Sequence, residues 1–523
     1  MIPLTIAELY DRAVLHGGDL IAITDHDRHV TYAELGDQAD RLVSAFASLG
    51  IDHGHRVAFL MANCAEYIAC EYAVAKVGAV RVPLAVLLGN DDHVYMMNHA
   101  RCSVIVYHHT FAARIEQMAP QLETVSQFIC VGAGDNEVIP GHVRLEELLA
   151  NHEPRHVATV VDPEEIAGIY FTGGTTGRPK GVMLSHRSWF HTYWMETLEF
   201  GIAPRERFVF ATPMTHAGGC LILPVLLRQG RCIVLEHFEP ESFLATIARE
   251  RATATLVVPT MMYALLDLAN RDHFDVSSLR NILYGGAAIA PERLKQALRV
   301  FGPIVTQFFG QTEAPMALMA LQREDHVIDD PGRELAVLTS AGRPTYPTEI
   351  RLVDADGVEV ATGEAGELIA RAPNVMSGYL DNPEATAATI RDGWLFTGDI
   401  ARRDEAGLFT IVDRKKDMIV SGGFNIFPRE VEDVLFEHAA VKHAAVIGVP
   451  HEKWGEEVRA VVVVREGMAV TAQDLIDFVK ASKGSLMAPK SIDFVDEIPL
   501  TNLGKIDKKR IRASYWDGRT RNV

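Results

Sequence analysis

A chain of 523 residues, 48% of them hydrophobic, has apolar material for more than one domain and needs neither disulfides nor a structural metal to stand. Acidic residues outnumber basic ones 69 to 50, for a formal charge of −19, and no Lys/Arg cluster forms a long basic face, which argues against nucleic acid as a partner. The six cysteines are scattered with no Cys-x-x-Cys pair, no stretch reaches 18 uninterrupted apolar residues, and Met1 to Thr5 lacks a basic leader; no zinc or disulfide framework and no membrane span is expected, and the chain reads as cytoplasmic.

In chain order, Thr31-Tyr32-Ala33-Glu34 is a capping box opening a helix with Leu35, Ala39, Leu42, Val43 and Phe46 on one side, stopped by Gly50. Val57 to Met61 is strand-like, Ala65 to Val77 helical, and Val80 to Pro83 and Ser103 to Tyr107 are extended again. This alternation predicts a doubly wound α/β lobe. A second lobe follows from the same pattern: strands at Arg207–Thr212, Arg231–Leu235 and Ala254–Val258, and helices at Leu221–Leu227 and Pro240–Arg251. From about Leu335 to Ile411 short runs broken by Gly and Pro predict a β-rich, barrel-like piece. The charged run Asp413 to Asp417 is the best boundary, giving a large domain over 1–415 and a small mobile α+β domain over 416–523, with helices near Glu430–Glu437 and Ala472–Ala481 and strands at Ala444–Val449 and Val458–Val464.

Between the lobes lies Phe171-Thr172-Gly173-Gly174-Thr175-Thr176-Gly177-Arg178-Pro179-Lys180-Gly181. Glycines, hydroxyls and one lysine in so short a loop can bring backbone N–H groups and a cation onto a dense anion, as a triphosphate cradle does. It is not a Walker A loop: Gly181 follows the lysine, and Val182-Met183-Leu184 continues as a strand rather than a helix.

Further along, Gln307-Phe308-Phe309-Gly310-Gln311-Thr312-Glu313 sets an aromatic ring, a hydroxyl and a carboxylate in succession. An adenine could lie on the ring, and Glu313 could hold Mg²⁺ through a hard oxygen contact. Asp399, closing Thr397-Gly398-Asp399, could accept both ribose hydroxyls, and Asp413-Arg414-Lys415-Lys416 could add a second ribose or phosphate contact. Leu503-Gly504-Lys505 puts one lysine on a loop near the C-terminus.

These stretches, together with Ser421-Gly422-Gly423-Phe424-Asn425-Ile426 and in this order, resemble the adenylate-forming enzymes over roughly residues 5 to 515, and among them the bacterial acid:CoA ligases most. The resemblance implies attack of a carboxylate on the α-phosphate of MgATP, release of pyrophosphate, and displacement of AMP by the thiol of coenzyme A. It implies that Thr172, Gly173, Gly174, Thr175, Thr176, Gly177 and Lys180 hold the β- and γ-phosphates, with Thr172 and Glu313 positioning Mg²⁺ beside Thr312. Gly286, Ala287, Phe309 and Gly310 line the adenine, Asp399 and Arg414 grip the ribose, and Lys505 bridges the acid and the α-phosphate. The small domain is then expected to pivot at Lys416, and Gly422 and Gly423 to let the pantetheine pass, with Trp454 set either against CoA or in a core.

Two departures from the family pattern stand out. Gly173 replaces a common Ser, and Leu486-Met487-Ala488-Pro489-Lys490 lacks an aromatic and a lysine expected there, leaving Lys483 or Lys490 as substitutes. The resemblance places the acyl pocket among Met214 to Gly219, Tyr284 to Ala287 and Phe308 to Gly310. No aspartate lies between Ala211 and Cys220 to pair an α-ammonium, so an uncharged aryl or aliphatic acid is expected. Ala217, Gly218 and Gly219 are expected to leave room there, beside Gly285, with Tyr284 and Phe308 as flat walls; His216 is a gate or a satisfied core histidine. A carrier protein loaded in trans, a luciferase-like monooxygenase and a non-catalytic acid sensor are the competing readings, and a homodimer is the first assembly to test.

Overall fold

The computed structural model describes residues 5–132, 134, 138–156, 160–172, 178–328, 330–499 and 506–516. Two large sheets form the body. The first has eight strands, in the order Gly378–Tyr379, Gly181–Ser185, Ile166–Phe171, Val80–Pro83, Arg56–Leu60, Val104–His108, Gln127–Val131 and Val143–Arg144. The second has nine: Arg343–Pro344, Ala314–Leu321, Val305–Gln311, Asn281–Gly285, Ala254–Val257, Arg207–Phe210, Arg231–Val234, Ile21–Asp25 and Arg28–Thr31. The central strands of both are parallel, as alternating strands and helices require.

The pleat sorts side chains into layers. Val57 and Phe59 of the first sheet and Phe208 and Phe210 of the second face a shared inner core, built on helices such as Ile6–Gly17, Tyr32–Ser48, Ala65–Lys76 and His186–Glu199. Their neighbours Ala58 and Leu60, or Val209 and Ile233, face separate outer cores. The predicted capping box is present: Thr31 accepts from the Glu34 amide at 3.1 Å, and the Glu34 carboxylate accepts from the Thr31 amide at 2.7 Å. Leu35, Ala39, Leu42, Val43 and Phe46 are all buried.

The two lobes are not consecutive in sequence. Ile21–Asp25 pairs in parallel with Arg231–Val234 and so belongs to the second sheet, while Gly378–Tyr379 returns to edge the first. The β-rich stretch is a five-stranded antiparallel sheet in which the long strand Trp394–Arg403 pairs with Gly366–Arg371, Ile390–Arg391 and Phe409–Arg414. Its apolar face covers Ala314, Leu318 and Met319 at the end of the second sheet. The small C-terminal domain has a sheet of its own, around the hairpin Val441–His451 and Gly455–Val464, backed by helices Pro428–Glu437 and Ala472–Met487.

One ion pair lies inside the inner core. Arg81 and Glu71, 5% and 2% exposed, bond one another, and the guanidinium lies 4.7 Å from the Trp189 ring and donates to the Tyr193 hydroxyl at 3.2 Å. Removing one partner leaves a buried charge unanswered, whereas removing both does not. Arg81→Met is expected to lower the free energy of unfolding by about 3–5 kcal/mol, with most of it recovered in the Arg81→Met/Glu71→Met double variant, as measured by urea denaturation.

Candidate active site

The Gly/Thr loop is the connection of an antiparallel hairpin, since Phe171 pairs with Gly181. Its ends are pinned. The Thr172 amide donates to the Lys180 carbonyl at 3.0 Å, and the Lys180 amide donates to the Thr172 hydroxyl at 3.4 Å. Gly173, Gly174, Thr175, Thr176 and Gly177, like Lys505, lie outside the described residues. The exposed Lys180 ammonium lies 4.6 Å from the centroid of the Tyr379 ring, and the Tyr379 hydroxyl donates to the Glu313 carboxylate at 2.7 Å. Burial, with Glu313 beside it, pushes the Tyr379 phenol well up, so it stays a donor.

Tyr379 carries no motif of its own, and the sequence reading passed over it. It reaches the site because Gly378–Tyr379 adds an edge strand to Gly181–Ser185, bringing a ring from far along the chain beside Lys180. Strand pairing across such a separation leaves no local sequence signal.

Thr312 and Glu313 form the two-residue turn between Val305–Gln311 and Ala314–Leu321. A Cβ on Gly310 would stand 2.5 Å from the Met316 amide nitrogen, so glycine is required where these two strands pass. Gly286 and Ala287 are exposed at the end of Asn281–Gly285, and a Cβ on Gly286 would meet open space. Phe309 packs against the apolar face of the five-stranded sheet.

Asp399 is 2% exposed, and its two oxygens have different partners. Oδ1 takes the Arg414 guanidinium at 2.7 Å, and Oδ2 takes the Gln311 amide at 3.3 Å. Burial raises its carboxyl to about 6 against the pull of Arg414, and Glu313 adds to the rise. Gln311 also donates to the Thr397 carbonyl at 3.3 Å, so it ties the Glu313 turn to the Asp399 strand; the sequence reading gave it no role.

The acyl region differs from expectation in two respects. Tyr284 is not a wall beside Phe308. The two side chains lie on opposite faces of the sheet, Tyr284 fully buried in an outer core and bonded to His326 at 3.0 Å, Phe308 in the inner core with its ring 5.8 Å from that of Phe200. Nor do Gly218 and Gly219 leave room for a ligand. A Cβ at Gly218 would stand 2.7 Å from the Thr212 carbonyl oxygen, and one at Gly219 would stand 2.0 Å from that of Met214. The missing side chains are used up by the backbone folding on itself.

Gly285 is likewise closed by Phe308, whose carbonyl oxygen would be 2.5 Å from an added Cβ. His216, kept neutral by burial, sits at this turn with its ring nitrogen 3.4 Å from the Thr215 hydroxyl. Asn63, which sequence reasoning missed, holds the turn: its amide donates to the Thr212 and Leu235 carbonyls and its oxygen accepts from the Met214 amide.

In the small domain Gly422 and Gly423 are the two central residues of a hairpin turn between Ile419–Ser421 and Phe424–Ile426, with φ of 59° and 83°. Such a turn requires a positive φ at both positions. Trp454 is not a core residue. It is 38% exposed, stacks on His451 at 4.3 Å, and its carbonyl accepts from the Gly422 amide at 2.8 Å, so tryptophan and glycine turn share one surface. Lys416 is half-buried, and burial lowers its ammonium. Lys483 and Lys490 are exposed, the latter donating to the Ser485 carbonyl.

Fold and relatives together place the chain among the AMP-forming acid ligases. The chain belongs to the AMP-binding enzyme family: residues 10–380 match the model of the AMP-binding enzyme and residues 430–505 that of its C-terminal domain. It is 40% identical over 507 residues to the medium/long-chain-fatty-acid–CoA ligase FadD8 of Mycobacterium tuberculosis, covering 95% of this chain and 88% of that one. It is 35% identical to the feruloyl-CoA synthase of an Amycolatopsis species, covering 96% of each. Among solved structures it is similar to the amide bond synthetase McbA of Marinactinospora thermotolerans, with a TM-score of 0.89 and 32% identity over 98% of this chain and 100% of the other.

Two outcomes are expected from this geometry. Gly219→Ala lowers stability by about 1–3 kcal/mol through overpacking, seen in denaturation of the ligand-free protein, without changing the order of preference among acids. Asp399 loses its charge as pH falls through about 6, so KM for ATP rises between about pH 7.5 and 5.5. Asp399→Asn, losing a hydrogen bond to a charged group, raises KM about 10–100-fold and flattens that pH dependence.

Proposed function

We propose that this protein is an ATP-dependent acid:CoA ligase acting on an uncharged aryl or aliphatic carboxylic acid. The observation that carries this reading is the convergence of Lys180, Tyr379 and Glu313 with Gln311, Asp399 and Arg414. A cation over a ring, a hydrogen-bonded carboxylate and a buried acid braced by a guanidinium are what a nucleoside triphosphate needs at its phosphates and its ribose.

In the first half-reaction a carboxylate oxygen bonds to the α-phosphorus as the bond to the β-phosphate oxygen breaks, giving acyl-AMP and pyrophosphate. Thr172 and Lys180 steady the β- and γ-phosphates, Gly286, Ala287 and Phe309 border the adenine, and Asp399 and Arg414 hold the ribose. Lys505 meets the charge that builds at the α-phosphate. Thr172 and Glu313 offer the hard oxygen donors that suit Mg²⁺, which would neutralise phosphate charge when bound. In the second half-reaction the thiol of coenzyme A bonds to the acyl carbon, AMP leaves, and the thiol proton passes to solvent.

One lysine cannot face the α-phosphate while a thiol approaches the same carbonyl. A domain boundary at 415/416 with a pivot at Lys416 resolves that conflict, and the surface of Gly422, Gly423 and Trp454 then serves the pantetheine. The CoA ligases among the relatives favour a thiol acceptor; the similarity to an amide bond synthetase makes an amine the competing one. We infer a cytoplasmic enzyme, consistent with six buried cysteines, none of them in a disulfide.

The deciding assay follows pyrophosphate release across benzoates, cinnamates and short- to medium-chain fatty acids, with and without CoA, alongside thioester formation. A thioester whose appearance is accelerated by CoA supports the ligase, and pyrophosphate release without thioester moves the acceptor to a carrier protein or an amine. Lys505→Ala is expected to slow adenylation about 10²–10³-fold and to spare thioester formation from a supplied acyl-adenylate; equal loss in both would remove Lys505 from its role.

A further inference from the structure

Helix Pro428–Glu437 of the small domain starts without a cap of its own. Phe427 stands at its N-cap, Pro428 follows, and no side chain of the N-cap residue bonds the first turn. The first-turn amide of Arg429 donates instead, at 2.9 Å, to Oδ2 of Asp413. Asp413 lies on the far side of the linker, on the strand Phe409–Arg414, paired opposite Ile400 in the five-stranded sheet of the large domain. Its other oxygen accepts from the Arg414 amide at 2.7 Å, and the residue is 9% exposed.

The remaining charge beside it also comes from the small domain. Lys508, with its side chain 16% exposed, pairs with Glu432 at 2.8 Å, and Asp413 and Glu432 together outweigh the effect of burial and raise its ammonium. The large domain's Arg402 reaches across to Glu430 on the same helix and lies 5.6 Å from the Phe427 ring, above an apolar contact of Ile400, Val412 and Phe427.

The neighbouring residues of the linker bond differently. Arg414 and Lys415 bond back into the large domain, to Asp399 and Glu367, and Asp417 bonds forward to Arg512 of the small domain. Of these four side chains only that of Asp413 reaches over the proposed pivot, with a buried carboxylate seated on a helix N-terminus, where a negative charge is favoured.

We propose that Asp413 is an orientation latch: its carboxylate, bonded to the first turn of helix Pro428–Glu437 and lying beside Lys508, holds the small domain in the orientation seen here and must release that helix before the domain can turn about Lys416. The purpose of the turn rests on the two-step reading above; the latch itself does not. Asp413 is a positioning residue, since no described contact brings it to the reacting atoms. Its strand neighbour Arg414 bonds the ribose aspartate, so nucleotide site and latch share one strand end.

The experiment measures the distance between spin labels at S277C in the large domain and K480C in the small one, both exposed positions, in the full-length enzyme. All six natural cysteines are buried, so labelling is confined to the introduced pair. Asp413→Asn and, separately, Lys508→Met are expected to add a second distance population to the resting enzyme. They are also expected to change the ratio of thioester-forming to adenylate-forming rates at least tenfold, while circular dichroism shows both variants folded. A distance distribution identical to the parent in both variants overturns the latch, as does an equal fall in both half-reactions. If the parent enzyme makes adenylate but no thioester, the ligase reading fails, and the distance measurement still decides the latch.

Discussion

The site depends on one buried charge. Asp399 lies almost wholly out of water, where an isolated carboxylate would be costly, and it is held by Arg414 on one oxygen and Gln311 on the other. Each partner belongs to a different element: Gln311 ends the strand that carries Phe308 and Phe309, and Arg414 ends the strand that runs into the small domain. Satisfying one carboxylate therefore fixes the five-stranded sheet, the second large sheet and the interdomain linker relative to each other. The price in desolvation is visible in its raised pKa, and Arg414 only partly offsets it.

The end proposed to take the phosphates uses a different device. Its hairpin is closed by backbone hydrogen bonds between Thr172 and Lys180, and its lysine is steadied by a ring rather than by a carboxylate. A cation resting on an aromatic face keeps its charge available to an incoming anion, whereas an ion pair would have to be broken first. Glu313 accepts its hydrogen bond from a neutral phenol. The two ends of a nucleotide would then meet opposite solutions: a braced acid at the ribose and a cation on an aromatic ring at the phosphates.

Glycines show why residue type alone does not assign a role. Gly218, Gly219 and Gly285 are closed by nearby backbone, and Gly422 and Gly423 are required by a two-residue turn. At Gly286, by contrast, the missing side chain opens onto empty space at the end of a strand. Asn63 illustrates the reverse: a buried polar side chain in an unremarked stretch holds the Thr212–Met214 turn with two hydrogen bonds and ties it to the Leu235 carbonyl with a third.

What could be read from sequence was set by local rules. The Thr31–Glu34 box, the alternation of strand and helix, and the Gly/Thr loop between two strands follow from side-chain period, capping chemistry and short motifs, all of which act within a few residues, whereas the pairing of Asp399 with Arg414 was expected only from the family resemblance. Tertiary structure alone decided that residues 21–31 join the second sheet, that Tyr379 reaches Glu313, that Tyr284 turns its back on Phe308, and that Asp413 caps a helix of the other domain. These depend on which strands pair and on the phase of the pleat at each one. That is fixed only when the whole chain buries its apolar faces at once, so no local stretch of sequence carries it.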